Sequence, residues 1–423
     1  MGSVNDMLRE IPIPKLVKVR QTFDKACLSD VASTVQNELR RDAISRLVKP
    51  GMSIAITAGS RGVNNIDVII REIASFLKEK GAYPFIIPAM GSHGGSTAQG
   101  QTAILREYHI TGESMGCPVR ATMETVKIGE MDDSGEPILI DRYAAEADGI
   151  VVVNRIKAHT AFRSTYESGL MKMMTIGLGK QAGAEVCHRA GIMDLGKNVE
   201  RFAFGILKNA RILFGMGSVE NAFDKTAIVK ALTKEEIPIE EPNLLAQAKS
   251  MMSRIKFDKV DVLVVDEIGK NISGEGMDPN IAGRWIVPNI KGGIETKMVA
   301  VLDLTDETLG NSVGLGMADV CSKRAMRKVD TDNTYPNSLT STVSSLCKIP
   351  MYFDNHSYTI KAAVKMVWGT PPPAVTMIRI KNTLELEYIY ISDNLVELAR
   401  QDPTLEIVSE PQELVFNENG DLF

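Results

Sequence analysis

The repeated order of strand, helix and strand constrains the fold more than any other feature of the sequence. Met52–Thr57 is a short apolar run bounded by turn residues, which is typical of a buried strand. Asn64–Lys80 follows with isoleucine and leucine at helical spacing, and Tyr83–Pro88 is a second apolar run. Because a helical crossover joins parallel strands, this order predicts a βαβ unit.

Apolar runs of the same kind recur along the chain, separated by stretches with helical spacing. The further predicted strands are Gly149–Val153, Ile212–Met216, Val260–Val265 and Lys297–Leu304, and the further predicted helices are 197–208, 243–255 and one that ends near Ala147. Strands that alternate with helices favour an open α/β sheet. We therefore expect an α/β fold with mostly parallel sheets.

The length of the chain predicts more than one domain. A chain of 423 residues is too long for a single core, so two or three domains are expected, and the strand pattern favours two α/β domains. Pro238 and Pro242 flank an acidic connector, and a new strand is predicted from about residue 260. We place the boundary between residues 1–256 and 257–423. Within the second part, Ser273–Gly293 is rich in glycine and proline, which is typical of a functional loop such as a lid.

Charge and cysteine usage exclude several classes of protein. The formal charge of −5 offers no basic surface for nucleic acid or for an anionic membrane. No apolar stretch reaches the ~18 residues of a membrane-spanning helix, and residues 1–14 lack the apolar segment of a secretion signal. The five cysteines are scattered and form no CxxC pair, which favours free thiols in a reducing compartment. We expect a cytoplasmic protein.

Four polar clusters each follow a predicted strand. They are Gly59–Arg61, Gly91–Ser96, Asn154–His159 and Asp266–Lys270. Ligands of parallel α/β sheets bind beyond the carboxyl ends of the strands. The clusters are therefore predicted to converge on one crevice.

His93 lies in a glycine-rich loop that leads into a predicted helix, with Ser96 or Thr97 as the N-cap. Glycines allow close approach of the backbone to a ligand, and a helix N-terminus favours an anion. The alternative is a tight turn that carries a surface histidine. Loops of this kind carry function often enough to keep both interpretations open.

His159 and Arg61 each have a functional and an ordinary interpretation. His159 is either a hydrogen-bonded surface histidine or the partner of His93 in an acid/base pair. Two such histidines on opposite faces of a substrate fit racemisation. Arg61 is either a surface charge or a group that binds a carboxylate through two hydrogen bonds.

Lys172 and His188 are less specific signals. Lys172 lies in a methionine-rich run and has two interpretations. It is either a helix lysine whose ammonium group reaches water or a buried lysine that acts as a nucleophile. His188 follows Cys187 and is a candidate metal ligand, although a Cys-His pair alone is a weak signal.

The motifs in their order and spacing resemble the lactate racemase family, which uses a nickel-pincer nucleotide. The resemblance covers most of the chain. The motifs are SRG at 60–62, GSHGGST at 91–97, RIKAHT at 155–160, ESGLMKMMTIGLGK at 167–180, EVCH at 185–188 and DEIGK at 266–270.

The resemblance implies roles for the residues of the first domain. His93 and His159 resemble the catalytic acid/base histidines, Lys172 the lysine that can hold the cofactor through a thioamide, and His188 the protein ligand to nickel. Arg61 resembles the arginine that orients the substrate.

Further residues are predicted to bind substrate or cofactor. Lys270 resembles a lysine of the second domain that reaches into a cleft between two α/β domains, and Glu267 lies beside it. The loop residues that we expect to contact the cofactor are Gly94, Gly95 and Ser96. Arg284 and Trp285 are candidate specificity contacts.

The activity implied by the resemblance is inversion of C2 of a 2-hydroxy acid. It would proceed by reversible hydride transfer to the nickel-pincer nucleotide, through a 2-keto acid. The implied partners are the 2-hydroxy acid and the enzymes that make the cofactor, and the sequence leaves the oligomeric state open.

Departures from the family pattern, which include a longer segment from His159 to Lys172, point to a substrate other than lactate. Ala58 stands where an aspartate is typical, Gly169–Lys172 reads Gly-Leu-Met-Lys in place of Gly-Gly-Arg-Lys, and Glu267 replaces a neutral amide. Two alternatives remain: a dehydrogenase or lyase that binds a nucleotide at Gly91–Ser96, and a non-catalytic ligand-binding protein.

Overall fold

Two units make up the chain, and the first residues belong with the last. The computed structural model describes residues 3–60, 62–189, 191–287 and 290–423. Asp24–Met252 forms one unit, here called the histidine unit. Met1–Phe23 and Ser253–Phe423 form the other, here called the C-terminal unit. The sequence-based division had placed the N-terminal segment with residues up to 256.

The strands of the described residues are as follows. They are β1 Leu16–Gln21, β2 Ser53–Ala58, β3 Tyr83–Pro88, β4 Thr125–Glu130, β5 Pro137–Asp141, β6 Gly149–Arg155, β7 Ile212–Glu220, β8 Thr226–Thr233, β9 Lys259–Ile268, β10 Glu295–Leu304, β11 Val320–Ser322, β12 Met351–Phe353, β13 Met377–Ile380, β14 Tyr388–Ser392 and β15 Leu405–Ile407.

The α-helices are interspersed among these strands. They are α1 Ser3–Leu8, α2 Val31–Leu39, α3 Asp42–Ser45, α4 Ile66–Glu79, α5 Ala98–Glu107, α6 Gly112–Met115, α7 Arg142–Glu146, α8 Leu170–Lys172, α9 Lys180–His188, α10 Leu195–Asn209, α11 Ile237–Met251, α12 Pro279–Ala282, α13 Lys323–Arg327, α14 Thr331–Ser341, α15 His356–Met366 and α16 Val396–Ala399. A π-helical turn, Met173–Gly177, continues α8.

The histidine unit is built on a five-stranded sheet in the order β3-β2-β6-β7-β8. Its first four strands are parallel, and β8 pairs antiparallel with β7. Helix α4 buries the isoleucine and leucine stripe that its sequence shows, against the apolar residues of β2 and β3. A separate antiparallel pair, β4-β5, completes the unit.

The C-terminal unit contains an eight-stranded sheet in the order β12-β11-β10-β9-β13-β14-β1-β15. The strands from β12 to β13 in this order are parallel, whereas β14, β1 and β15 pair antiparallel. Strand β1 lies between β14 and β15, so the pairing of its backbone places the N-terminal segment in this unit.

The predicted α/β class with mostly parallel sheets is confirmed. Strand β3 has the predicted bounds, and β2, β6, β7, β9 and β10 lie on the predicted apolar runs. The helix predicted at 243–255 begins earlier, at Ile237, and ends at Met251. No helix among the described residues is long and apolar enough to cross a membrane.

Candidate active site

Three of the four predicted polar clusters lie at one edge of the sheet in the histidine unit. Gly59–Ser60 follows β2, Gly91–Ser96 follows β3, and the cluster ending at His159 spans the end of β6. These three strands are adjacent and parallel, so their carboxyl ends meet at the same edge. This is the position at which such sheets bind ligands.

The segment that contains Lys172 contacts all three loops. Asn154 Nδ2 donates to the carbonyl oxygen of Gly169 at 2.8 Å, and the backbone nitrogen of Gly91 donates to the carbonyl oxygen of Gly177 at 3.2 Å. A Cβ atom on Gly59 would approach the Met173 methyl group to 3.1 Å. Glycine at positions 59 and 91 therefore lets the strand ends pack closely against the π-helical turn.

The His159 ring is held on two sides. Its Nδ1 accepts a hydrogen bond from the Ala161 backbone nitrogen at 2.9 Å, and the ring stacks on Phe162 with the centroids 4.0 Å apart. The His159 backbone nitrogen donates to the buried Glu167 carboxylate at 2.7 Å. The ring orientation is thus fixed by the residues that follow it in the chain.

Lys172 forms a hydrogen bond with His159, with 2.7 Å between Nζ and Nε2. Because His159 Nδ1 is an acceptor, the proton of the neutral ring lies on Nε2, which then donates to Nζ. A lysine nitrogen can accept only as the unprotonated amine. The half-buried Lys172 therefore has a bonding pattern that suits a nucleophile, rather than that of a lysine extended into water.

His188 is the last residue of α9 and has the hydrogen bonding of a metal ligand. Its Nδ1 lies 2.6 Å from the Ala184 carbonyl oxygen, to which the Nδ1 proton is donated. Burial lowers the pKa of His188, and a positive charge on Lys172 would act in the same direction. The neutral ring with its second nitrogen bonded to a carbonyl leaves Nε2 as a metal-binding atom.

Cys187 does not complete a Cys-His metal pair. Its side chain is buried, and burial raises the pKa of the thiol to about 12. The thiol is therefore protonated at neutral pH, whereas a metal ligand must be the thiolate. Within the described part of the chain no group of three or more His, Cys, Asp or Glu side chains could hold a metal ion.

The His93 side chain is exposed, and its Nδ1 forms a hydrogen bond with the Ser60 hydroxyl. The Ser60 carbonyl oxygen in turn accepts from the Tyr108 hydroxyl at 3.0 Å. Thr97 is the N-cap of α5, since its hydroxyl accepts from the Gly100 backbone nitrogen at 3.0 Å. The loop after β3 is therefore bonded to the loop after β2 and to its own helix.

The three loop residues predicted to contact a cofactor differ in their surroundings. Gly94 packs against α5, because a Cβ atom there would come within 2.6 Å of the Gln101 nitrogen. Ser96 has a positive φ of 55° and donates to the Ser92 carbonyl oxygen at 3.0 Å. A Cβ atom on Gly95 would meet no described atom within 4 Å. Of the three, Gly95 has the most room for a ligand.

Other predicted site residues lie elsewhere or have ordinary partners. Arg61 lies outside the described residues. Glu267 and Lys270 belong to the C-terminal unit, where Glu267 accepts from Asn382 at 3.0 Å and Lys270 Nζ donates to the Gly274 carbonyl oxygen at 2.6 Å.

The two candidate specificity residues have bonding partners within the C-terminal unit. Arg284 forms an ion pair with Asp319 at 2.6 Å, and Trp285 Nε1 donates to the Gly292 carbonyl oxygen at 3.0 Å. The Arg284 ion pair favours a role in holding the loop between α12 and β10.

One buried carboxyl beside Lys172 was missed by the sequence analysis. Glu241, in α11, is buried and accepts from the Met171 backbone nitrogen at 3.0 Å, at the start of α8. A Cβ atom on Gly169 would collide with its carboxyl group, which explains the glycine. Burial raises the pKa of Glu241 to about 8. Glu241 lies in an acidic stretch of sequence that reads as an exposed connector, so no signal marked it.

The fold and the site define an α/β protein in which a histidine and a lysine share a hydrogen bond near the strand ends. Comparison with known families agrees with this class. Residues 9–199 match the family model described as the lactate racemase N-terminal domain. This region of the chain is similar to that domain family, and the match confirms the resemblance inferred from the motifs.

Solved structures with the same fold include a lactate racemase. The apoprotein of lactate racemase from Thermoanaerobacterium thermosaccharolyticum is similar over 85% of this chain and 99% of that chain, at 13% identity and a TM-score of 0.50. A protein from Thermotoga maritima matches 64% of this chain and 70% of its own, at 14% identity and a TM-score of 0.47. No curated protein matches this chain. The first likeness shows a shared fold.

Proposed function

We propose that the protein is a racemase or epimerase that inverts C2 of a 2-hydroxy acid. The observation that carries the proposal is the hydrogen bond between His159 and Lys172 at the strand-end edge of a lactate racemase N-terminal domain. It brings an acid/base group and an amine nucleophile together where parallel sheets bind ligands.

His93 and His159 are proposed to handle the hydroxyl proton of the substrate. Each enantiomer needs a base on its own side, and the group that takes the proton from one enantiomer returns a proton to the other. The two rings are supported from different elements, His159 by Ala161 and Phe162 and His93 by Ser60. Separate supports suit two groups that act from different sides of one carbon.

The residues fit the nickel-pincer nucleotide that the family resemblance implies. His188 would bind nickel through Nε2, the Lys172 amine would hold the organic part, and the Gly94–Ser96 turn would contact the nucleotide. When bound, this group would accept the C2 hydride of the substrate and return it, so that the substrate passes through a 2-keto acid. The enzymes that make such a cofactor would be partners of this protein.

The substrate carboxylate and the second domain complete the proposal. Arg61 would bind the carboxylate, and Glu267 and Lys270 would be further substrate-binding residues. Ala58 and Glu267, which depart from the family pattern, favour a 2-hydroxy acid other than lactate.

A screen in D₂O tests the activity and its mechanism together. Single enantiomers of lactate, malate, aromatic and sugar 2-hydroxy acids are incubated with cofactor-loaded protein and analysed by chiral chromatography and proton NMR. We expect one acid to be inverted with its C2 hydrogen retained, because a hydride does not exchange with solvent. Deuterium at C2 of the product would show that C2 is deprotonated and reprotonated from solvent, and it would contradict hydride transfer.

Two other outcomes would reject the racemase. Reduction of an added nicotinamide cofactor with accumulation of the keto acid would indicate a dehydrogenase. Absence of turnover with every acid, with nickel and cofactor supplied, would indicate a ligand-binding protein.

A further inference from the structure

A lysine with no solvent exposure lies beneath the His93 loop. Lys180 Nζ donates to the Pro88 carbonyl oxygen at 2.6 Å and to Gln101 Oε1 at 2.9 Å, and it pairs with Asp141 Oδ2 at 3.2 Å. The first two contacts are hydrogen bonds, and the contact with the buried Asp141 carboxylate is an ion pair. A buried charge is costly unless it is fully paired, so this arrangement is strongly specified.

Two of the partners of Lys180, Pro88 and Gln101, flank the loop that carries His93. Pro88 is the last residue of β3, and Gln101 lies in the first turns of α5, so the loop runs between them. The Gln101 side chain is itself buried, and its Nε2 donates to the carbonyl oxygens of Gly91 at 3.0 Å and His93 at 3.2 Å. The amide therefore transmits the position of Lys180 to the His93 backbone.

The same lysine begins the helix that ends at His188. Lys180 is the first residue of α9 and has a positive φ of 55°, a conformation that non-glycine residues rarely adopt. Asp141 is fixed in turn, because its Oδ1 accepts from the backbone nitrogens of Tyr143 and Ala144 as the N-cap of α7. One ammonium thus joins the His93 loop, the His188 helix and the end of β5.

Stability alone gives little reason for such an arrangement. Burial raises the pKa of Asp141 and lowers that of Lys180, so each charge is maintained against the cost of desolvation. Apolar residues of similar volume often replace a buried ion pair without loss of stability. The distinguishing feature is that Lys180 holds Gln101, whose side-chain amide donates to the backbone of the His93 loop.

We propose that Asp141, Lys180 and Gln101, here called the Lys180 hub, are positioning residues that fix the His93 imidazole relative to the His188 helix. The catalytic consequence rests on the proposed function, whereas the effect on the loop does not. A displacement of about 1 Å in a catalytic group can cost ~10²-fold in rate. Loosening the hub should therefore lower kcat more than it changes KM.

The test compares Gln101→Leu, Lys180→Met and the double variant Asp141→Asn/Lys180→Met with Lys197→Met as the control. Lys197 is a surface lysine, 82% exposed, whose ion pair with Asp194 lies within one helical turn. Asn at position 141 keeps the N-cap acceptor and removes the charge. Hydrogen exchange of the amides of residues 91–97, the unfolding free energy, and kcat and KM are measured for each protein.

We expect Gln101→Leu and Lys180→Met to speed exchange at residues 91–97 about tenfold and to lower kcat ~10- to 100-fold, with KM within about threefold. Exchange in α4 serves as an internal reference. The double variant should regain stability relative to Lys180→Met, because no uncompensated Asp141 charge remains, yet keep the fast exchange and low kcat. Lys197→Met should behave as wild type.

Two results would overturn the proposal. Unchanged exchange at residues 91–97 in Gln101→Leu would show that the hub does not hold the loop. Recovery of kcat together with stability in the double variant would reduce the hub to a structural ion pair. If wild type shows no racemase activity, the proposed function fails, and the exchange measurement still decides whether the hub positions the loop.

Discussion

The two units contain the same kind of parallel sheet, but the side chains at their strand ends are bonded differently. In the histidine unit, His159 and Lys172 share a hydrogen bond between two nitrogens that can each gain or lose a proton. In the C-terminal unit, Asp266 on β9 forms two hydrogen bonds with Arg379, at 2.7 and 2.9 Å. The proposed acid/base groups lie at one set of strand ends, and a carboxylate paired with arginine lies at the other.

Asp303 on β10 strengthens the contrast. Its buried carboxylate accepts from Arg324 at 2.8 Å and from Lys328 at 3.1 Å. Two cationic partners thus neutralise the charge of this carboxylate. Two sheets of the same architecture can therefore have different functions at their strand ends. The bonding partners of the strand-end residues distinguish the edge proposed to be reactive from the edge proposed to be structural.

The largest expected effect is on the histidines themselves. His93→Gln and His159→Gln should each lower kcat by ~10²- to 10⁴-fold, because each removes an acid/base group while keeping a polar side chain. Steady-state rates in both directions check this, with circular dichroism to confirm folding. His109→Asn is the matched control, since His109 is exposed and has a positive φ of 57° that asparagine tolerates. Full activity in either variant would remove that histidine from the mechanism.

The next effect concerns the pH dependence of stability. The buried Glu241 carboxyl has its pKa raised from 4.5 to about 8, so the folded protein retains a proton that the unfolded chain has released. The unfolding free energy should therefore fall as pH rises from about 4.5 to about 8, by ~4 kcal/mol from this group.

Glu241→Gln should lack this contribution, because the amide does not titrate. Urea unfolding of both proteins at pH 5, 6.5 and 8 measures the difference in slope. Parallel pH profiles for wild type and variant would show that Glu241 is already ionised in the folded state.

A smaller effect is expected if Lys270 of the C-terminal unit takes part in substrate binding. If Lys270 binds substrate, Lys270→Met should raise KM about tenfold, equivalent to ~1.4 kcal/mol, with kcat within about threefold. Lys323→Met is the control, since Lys323 forms an exposed ion pair with Asp354. An unchanged KM would confine the proposed chemistry to the histidine unit.

The smallest effect is expected at the structural edge of the C-terminal unit. Arg324→Met should lower the unfolding free energy by about 1 kcal/mol, because Lys328 still neutralises Asp303. Catalysis should not change. Denaturant unfolding and kcat measure the two quantities, and a large loss of kcat at full stability would contradict the assignment of this edge as structural.

The βαβ pattern was readable because its local sequence and its final environment agree. Tyr83–Pro88 becomes β3 with no change of bounds, and the isoleucine stripe of Asn64–Lys80 is the buried face of α4. The antiparallel strands β1, β14 and β15 were not predicted, because their pairing joins residues far apart in sequence. Such pairing depends on tertiary contacts more than on local propensity.

The site divides in the same way. The strand-end position of His93 and His159 follows from the order of apolar runs, whereas the bond between His159 and Lys172 depends on how α8 folds back. Burial of Lys180 and Glu241 could not be read from the sequence, since lysine and glutamate are usually exposed. The ion pair of Arg284 with Asp319 was likewise not predicted, because the two residues lie far apart in sequence, and its role as a specificity contact stays a prediction.

The most direct test of the histidine unit as the reactive one is the metal content of His188→Ala beside wild type. Both proteins are purified after production with the cofactor-forming enzymes and nickel, and nickel is measured per chain together with inversion of the 2-hydroxy acid. We predict about one nickel per wild-type chain and loss of both metal and activity in the variant, because His188 Nε2 is the proposed protein ligand to nickel. Full nickel and full activity in His188→Ala would contradict the account.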